Sequence, residues 1–148
     1  MRATWVAPLL AMVAGLAFFV VLWTAVTRGL ASFSGWSALA AKYPGGPRPL
    51  GEVLRGQVLG FGPVRENNIT YAIPTTGGLY LYPNALFGLG RPPMLIPYNR
   101  ITYRETTSLL WSRSHELAID GATSFRIRDR LLKELKSHGV SIPADALP

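Results

Sequence analysis

The chain has 148 residues, of which 49% are hydrophobic and 16% charged, with 15 Lys+Arg against 8 Asp+Glu, two His and no Cys. That length holds one modest domain, and the apolar surplus excludes a disordered chain. The lack of Cys excludes disulfides, thiolate metal sites, iron–sulfur ligation and a cysteine nucleophile, two His do not build a multi-His metal site, and no cofactor is expected.

No charged residue lies between Arg2 and Arg28. The run from Trp5 to Thr27 is apolar on every face and, as a helix, covers roughly 30 Å, the thickness of a bilayer core. Trp5 and Trp23 stand near its two ends, where interfacial aromatics collect, and Pro8 falls in the first turns, where a helix tolerates it. A signal-peptide core is shorter, about 7–15 residues. The best small-x-small cleavage site, Ala38-Leu39-Ala40, is far downstream. Residues 1–28 are therefore expected to be an uncleaved transmembrane anchor. Arg28, Lys42, Arg48 and Arg55 follow it with only Glu52 opposing, so the positive-inside rule predicts a cytoplasmic C-terminal domain on a single-pass inner-membrane protein.

Residues 29–49 read as a juxtamembrane helix and linker. Leu30, Phe33, Trp36, Leu39 and Tyr43 recur at spacings of three and four, with Ser32 or Ser34 as candidate caps. Two readings stay open: the stripe lies on the membrane with Trp36 in the headgroup layer, or it packs on the globular domain. Pro44 to Pro49 then form a turn or short linker.

From Leu50 the texture changes to short β-branched and aromatic runs between Gly, Pro and Asn. Strands are predicted near 53–64, 69–74, 78–82, 94–98, 101–106, 108–112, 116–119 and 123–127. Asp120-Gly121 signals a hairpin. Arg128–His138 carries Leu131, Leu132 and Leu135 on one helical face, with Gly139 placed as a stop and His138 as a dipole-compensating residue. Residues 50–140 form the soluble domain, and the tail 141–148 packs loosely, through Val140 and Ile142 at its start, or frays. Strands first and a helix last predict an α+β, mainly-β domain: a bent antiparallel sheet or partly open barrel capped by a C-terminal helix.

Gly78-Leu79-Tyr80-Leu81, followed after a loop by Leu95-Ile96-Pro97-Tyr98-Asn99-Arg100-Ile101, resembles the strand pair of bacterial pleckstrin-homology/GRAM-like domains. Ser34-Gly35-Trp36 and Leu39-Ala40…Tyr43 are similar to an element of small bacterial single-pass membrane proteins. The resemblance covers residues 50–140 and implies a fold that hosts lipid binding, peptide binding and scaffolding alike. The family's phosphoinositide signature is a basic cluster in the first hairpin loop. Here the stretch 63–68 holds one Arg beside one Glu, which does not reproduce it.

The search for chemistry yields little. The carboxylates are scattered. Ser114, His115 and Glu116 alternate across a strand and do not converge locally. Gly88–Pro93 opens like a phosphate loop, but prolines stand where a helix would start. Asn68-Ile69-Thr70 is a glycosylation triplet by pattern only, and Phe87 in the 84–90 loop is either a docking residue or an anchor tucked onto the sheet. No catalytic, cofactor or metal residue is assigned, and an enzyme is not expected.

Basic charge is the remaining signal. Arg100, Arg104 and Arg113 fall in neighbouring strands, and Arg126, Arg128 and Arg130 precede or open the last helix. With Trp36 they are the candidate membrane- or partner-binding residues. The competing meanings are a solvated face, attraction to anionic lipid headgroups, and docking on an acidic face of a membrane protein complex. No recognition helix or aromatic RNA motif accompanies them, so nucleic acid is not an expected partner. The sequence thus favours a non-catalytic binding or scaffold module tethered to the lipid bilayer. The alternative is an accessory subunit of a respiratory, photosynthetic or transport complex, with Ala7, Ala11 and Gly15 as a helix-packing row.

Overall fold

A computed structural model describes residues 5–65, 69–109 and 111–147. Helix α1 spans Val6–Phe33, 28 residues or about 42 Å. Its most apolar window has a mean hydropathy of 2.5 and holds no buried residue, so among the described residues one helix, near the N-terminus, is long and apolar enough to cross a membrane. Arg28 does not end α1, which runs one and a half turns further. It stops where Ser34 N–H donates to the Leu30 carbonyl and Gly35 turns left-handed, at φ 81°. Helix α2, Trp36–Lys42, starts at once.

That break divides the stripe read in the sequence. Phe33, at the end of α1, is 72% exposed, whereas Trp36, Leu39 and Ala40 of α2 are buried. Trp36 is fully enclosed: its ring meets Phe61 edge-on at 5.1 Å, Phe61 stacks on Phe125 at 5.6 Å, and its indole N–H donates to the Pro92 carbonyl at 2.9 Å. Of the two readings of the stripe, packing on the domain is the one the structure takes. Trp36 is thereby corrected as a headgroup residue, because a ring with no exposed surface reaches no lipid. The linker is likewise part of the domain: Leu95 N–H donates to the Tyr43 carbonyl, and Gly45 N–H to that of Pro93.

The strands are β1 (Val58–Phe61), β2 (Val64–Arg65), β3 (Thr70–Thr75), β4 (Gly78–Pro83), β5 (Met94–Ile96), β6 (Ile101–Leu109), β7 (Ser112–Ile119) and β8 (Thr123–Ile127). All pairings are antiparallel. One sheet has the order β2-β1-β8-β7-β6 and the other β3-β4-β5. The two runs predicted over 101–106 and 108–112 are one nine-residue strand and the start of its partner. Asp120 and Gly121 both take positive φ, 53° and 70°, as the central pair of a tight turn closed by Ala122 N–H to the Ile119 carbonyl, within a three-residue loop between the paired Ile119 and Thr123. The hairpin loop 63–68 and the 68–70 triplet fall partly outside the described residues.

Helix α3, Asp129–Ser137, buries Leu131, Leu132 and Leu135 against the same core as Trp36, Phe61 and Phe125. Gly139, at φ 89°, ends it, and His138 Nδ1 sits 2.8 Å from the Glu134 carbonyl in the last turn. The tail is tighter than its sequence suggests. Val140, Ile142 and Ala146 are buried, and Val140 N–H donates to Leu135. The described residues therefore form a long apolar helix followed by a mainly-β domain of two antiparallel sheets with a C-terminal helix.

Candidate functional site

The basic residues do not make one face. Arg100 and Arg104 do meet, around the β7–β8 turn. Asp120 Oδ2 accepts from Lys42 Nζ at 2.6 Å and from the Tyr43 hydroxyl at 2.7 Å. Arg100 stands 3.8 Å from Asp120 Oδ1, and Arg104 donates to the Gly121 carbonyl at 2.9 Å and lies 3.8 Å from Glu116. Arg113 is elsewhere. It pairs with Ser108 at the far end of the β6–β7 hairpin, about 25 Å along the strand from Arg100. The second trio also separates. Arg126 donates to the Gly62 carbonyl at 3.3 Å, Arg130 is ion-paired with Glu52, and Arg128 is the exposed N-cap of α3. Exposed ion pairs of this kind contribute little to stability individually, about 0–1 kcal/mol.

The Lys42–Tyr43–Asp120 cluster ties the end of α2 to the sheet. Hydrogen bonds from Lys42 and then Tyr43 hold the Asp120 carboxyl below its ordinary value, and Asp120 in turn holds the Lys42 ammonium above its own. An acid whose folded value is depressed adds stability that is complete above its unfolded value, about 3.9, and lost as pH falls through the folded one. Asp120→Asn keeps a residue that tolerates positive φ and removes the charge. The wild-type chain is expected to unfold later than this variant at neutral pH, with the gap closing below the folded value of Asp120. Thermal unfolding of both proteins along a pH series measures it, and a gap unchanged into acid would refute the cluster's role.

His115 has no exposed surface, and its environment was not visible in its neighbours Ser114 and Glu116. Its Nε2 lies 2.5 Å from Asp129 Oδ1 and its Nδ1 2.9 Å from Thr106 Oγ1, which is in turn 2.5 Å from the Tyr103 hydroxyl. A hydroxyl, an imidazole and a carboxylate thus stand in line, contributed by β6, β7 and the first residue of α3. With Nε2–H donating to Asp129, Nδ1 accepts from Thr106, so both ring nitrogens are satisfied. The arrangement fastens α3 to β7. The signal that could have found it is burial: a histidine on the inward face of β7 needs two partners, and Asp129 opens the α-helix that follows.

The third assembly is the seat of α1 on the domain. The loop between β4 and β5, which carries a single turn at Ala85–Phe87, is bonded to α1. Trp23 Nε1 donates to the Leu86 carbonyl at 2.8 Å, Thr27 Oγ1 lies 2.8 Å from the Leu89 carbonyl, and the Phe87 ring is 5.4 Å from that of Trp23. Gly90, at φ 92°, lies flush on Arg28, where a Cβ would collide with the arginine stem. Thr27 is buried here, as are Ala31 and Ser34 further along the chain. Phe87 is therefore a loop anchor, but its anchorage is α1.

Comparison with protein-family models, with curated proteins and with solved structures found no match. The class is defined by its architecture: a mainly-β domain of two antiparallel sheets and a C-terminal helix, seated on the end of a long apolar helix.

Proposed function

We propose that the chain is a non-catalytic binding or scaffold module tethered to the inner membrane by α1, with a pleckstrin-homology-like domain on the cytoplasmic side. The observation that carries this reading is the seat of α1. Hydrogen bonds from Trp23 and Thr27 and the Trp23–Phe87 ring contact join helix and domain without a flexible linker. A spanning helix so joined sets the height and orientation of the domain above the bilayer, and confinement there raises its effective concentration for membrane partners. The two sheets closed by α3 support the pleckstrin-like description. The excess of Lys+Arg favours anionic headgroups or an acidic face of a membrane protein as the contact, and Arg113 and Arg128 have no side-chain partner among the described residues.

Membrane extraction at alkaline pH, combined with labelling of a Trp111→Cys variant in intact cells, tests the tether. The protein should stay in the membrane fraction and react with an impermeant maleimide only after the cells are opened. Release into the soluble fraction would end the tether, and labelling in intact cells would reverse the orientation.

A second reading, an accessory subunit of a larger membrane complex, is favoured by the helix surface. Ala7, Ala11 and Gly15 lie at successive i+4 positions, and a Cβ on Gly15 would meet nothing within 4 Å. Such a row permits close approach of another helix.

A further inference from the structure

We infer that the Ala85–Gly90 loop is a second membrane contact, immersed in the headgroup–acyl boundary beside the end of α1. This rests on the reading of α1 as a membrane span. The apolar part of α1, residues 6–27, is about 33 Å long and so fills a bilayer core. The loop is fixed to its last turns, at Trp23 and Thr27. A helix that spans therefore carries the loop to the depth of the interface.

The chemistry of the loop suits that depth. Residues 83–90, Pro-Asn-Ala-Leu-Phe-Gly-Leu-Gly, hold no charge. Leu86 is 70% and Leu89 51% exposed, and on α1 Phe19, which stacks on the same Trp23 that holds the loop, is exposed as well. Irregular backbone needs its polar groups paired within the protein or, in the headgroup layer, hydrated. Here Asn84 Oδ1 accepts from the N–H groups of Leu86 and Phe87, Arg91 N–H donates to the Gly88 carbonyl, and the Leu86 and Leu89 carbonyls take the Trp23 and Thr27 donors. Arg28, on which Gly90 rests, then stands at phosphate level, where a cation is attracted to anionic headgroups. In water the same loop would expose two leucines with nothing to gain.

The chain has no cysteine, so single-cysteine variants carry one probe each. Leu86→Cys and Leu89→Cys report on the loop, Val13→Cys on the middle of α1 and Trp111→Cys on the distal hairpin. Each full-length variant is labelled with an environment-sensitive fluorophore in vesicles of phosphatidylcholine and phosphatidylglycerol. Quenching by aqueous iodide and by lipids with shallow or deep nitroxides is then measured. The loop probes should be quenched by shallow nitroxides and be several-fold less sensitive to iodide than the Trp111 probe, while the Val13 probe responds to deep nitroxides. Loop probes as iodide-sensitive as Trp111, with Val13 still lipid-quenched, would overturn the immersed loop, leave the tether standing and free the leucines for a protein partner. A Val13 probe open to iodide would overturn the span itself and the loop with it.

Discussion

Trp36→Ala is expected to destabilise the domain by about 3–5 kcal/mol, the cost of emptying a large aromatic site in a core. The ring has no exposed surface, packs on Phe61, and gives its N–H to the Pro92 carbonyl. A loss of that size is a large fraction of the about 5–15 kcal/mol that holds a domain together. Melting of the full chain in detergent, followed by circular dichroism, should fall by roughly 10–20 °C. Trp36→Phe keeps most of the packing and loses the hydrogen bond, for about 1 kcal/mol. Trp111→Ala is the control: that ring is 100% exposed on the β6–β7 turn, and its removal should change stability by no more than about 0.5 kcal/mol. Equal small shifts for Trp36 and Trp111 would place Trp36 outside the core and return it to the membrane surface.

The second large effect belongs to His115. Alanine there removes the bond to Asp129, the bond to Thr106 and a buried ring, together about 2–4 kcal/mol. Thr106 is exposed and Asp129 half-buried, so water takes over as their partner and the cost stays below that of an orphaned buried charge. Thr106→Val should cost less than half as much. Urea unfolding of the three proteins separates them. A His115→Ala midpoint within error of the wild type would mean that α3 is held by its leucines alone.

Much of this architecture is legible in the sequence wherever a periodic signal is uninterrupted. The charge-free run announces α1, Leu131, Leu132 and Leu135 with Gly139 announce α3, and Asp120-Gly121 announces its hairpin. Gly35 was not legible as a break, because the three- and four-residue spacing of the apolar positions continues across it. Strands β6 and β7 were blurred for the opposite reason: Thr106, Thr107 and Ser108 are all exposed, so no alternation marks the strand. The partners of the basic residues and of the 84–90 loop were hidden by distance along the chain. Lys42 and Asp120 are 78 residues apart, as are Arg130 and Glu52, and Trp23 and Leu86 are 63 apart. Nothing local encodes such contacts. Proximity in sequence grouped Arg126, Arg128 and Arg130, while the fold sends each to a different neighbour.

The two readings of function divide on whether the chain works alone. Purification from its native membrane in a gentle detergent, with mass spectrometry of what co-migrates, is the most direct measurement. A tethered binding module should leave the membrane as a monomer or homodimer. A stoichiometric assembly with other membrane subunits would contradict it, and would make the Ala7–Ala11–Gly15 row and the basic surface parts of a permanent interface.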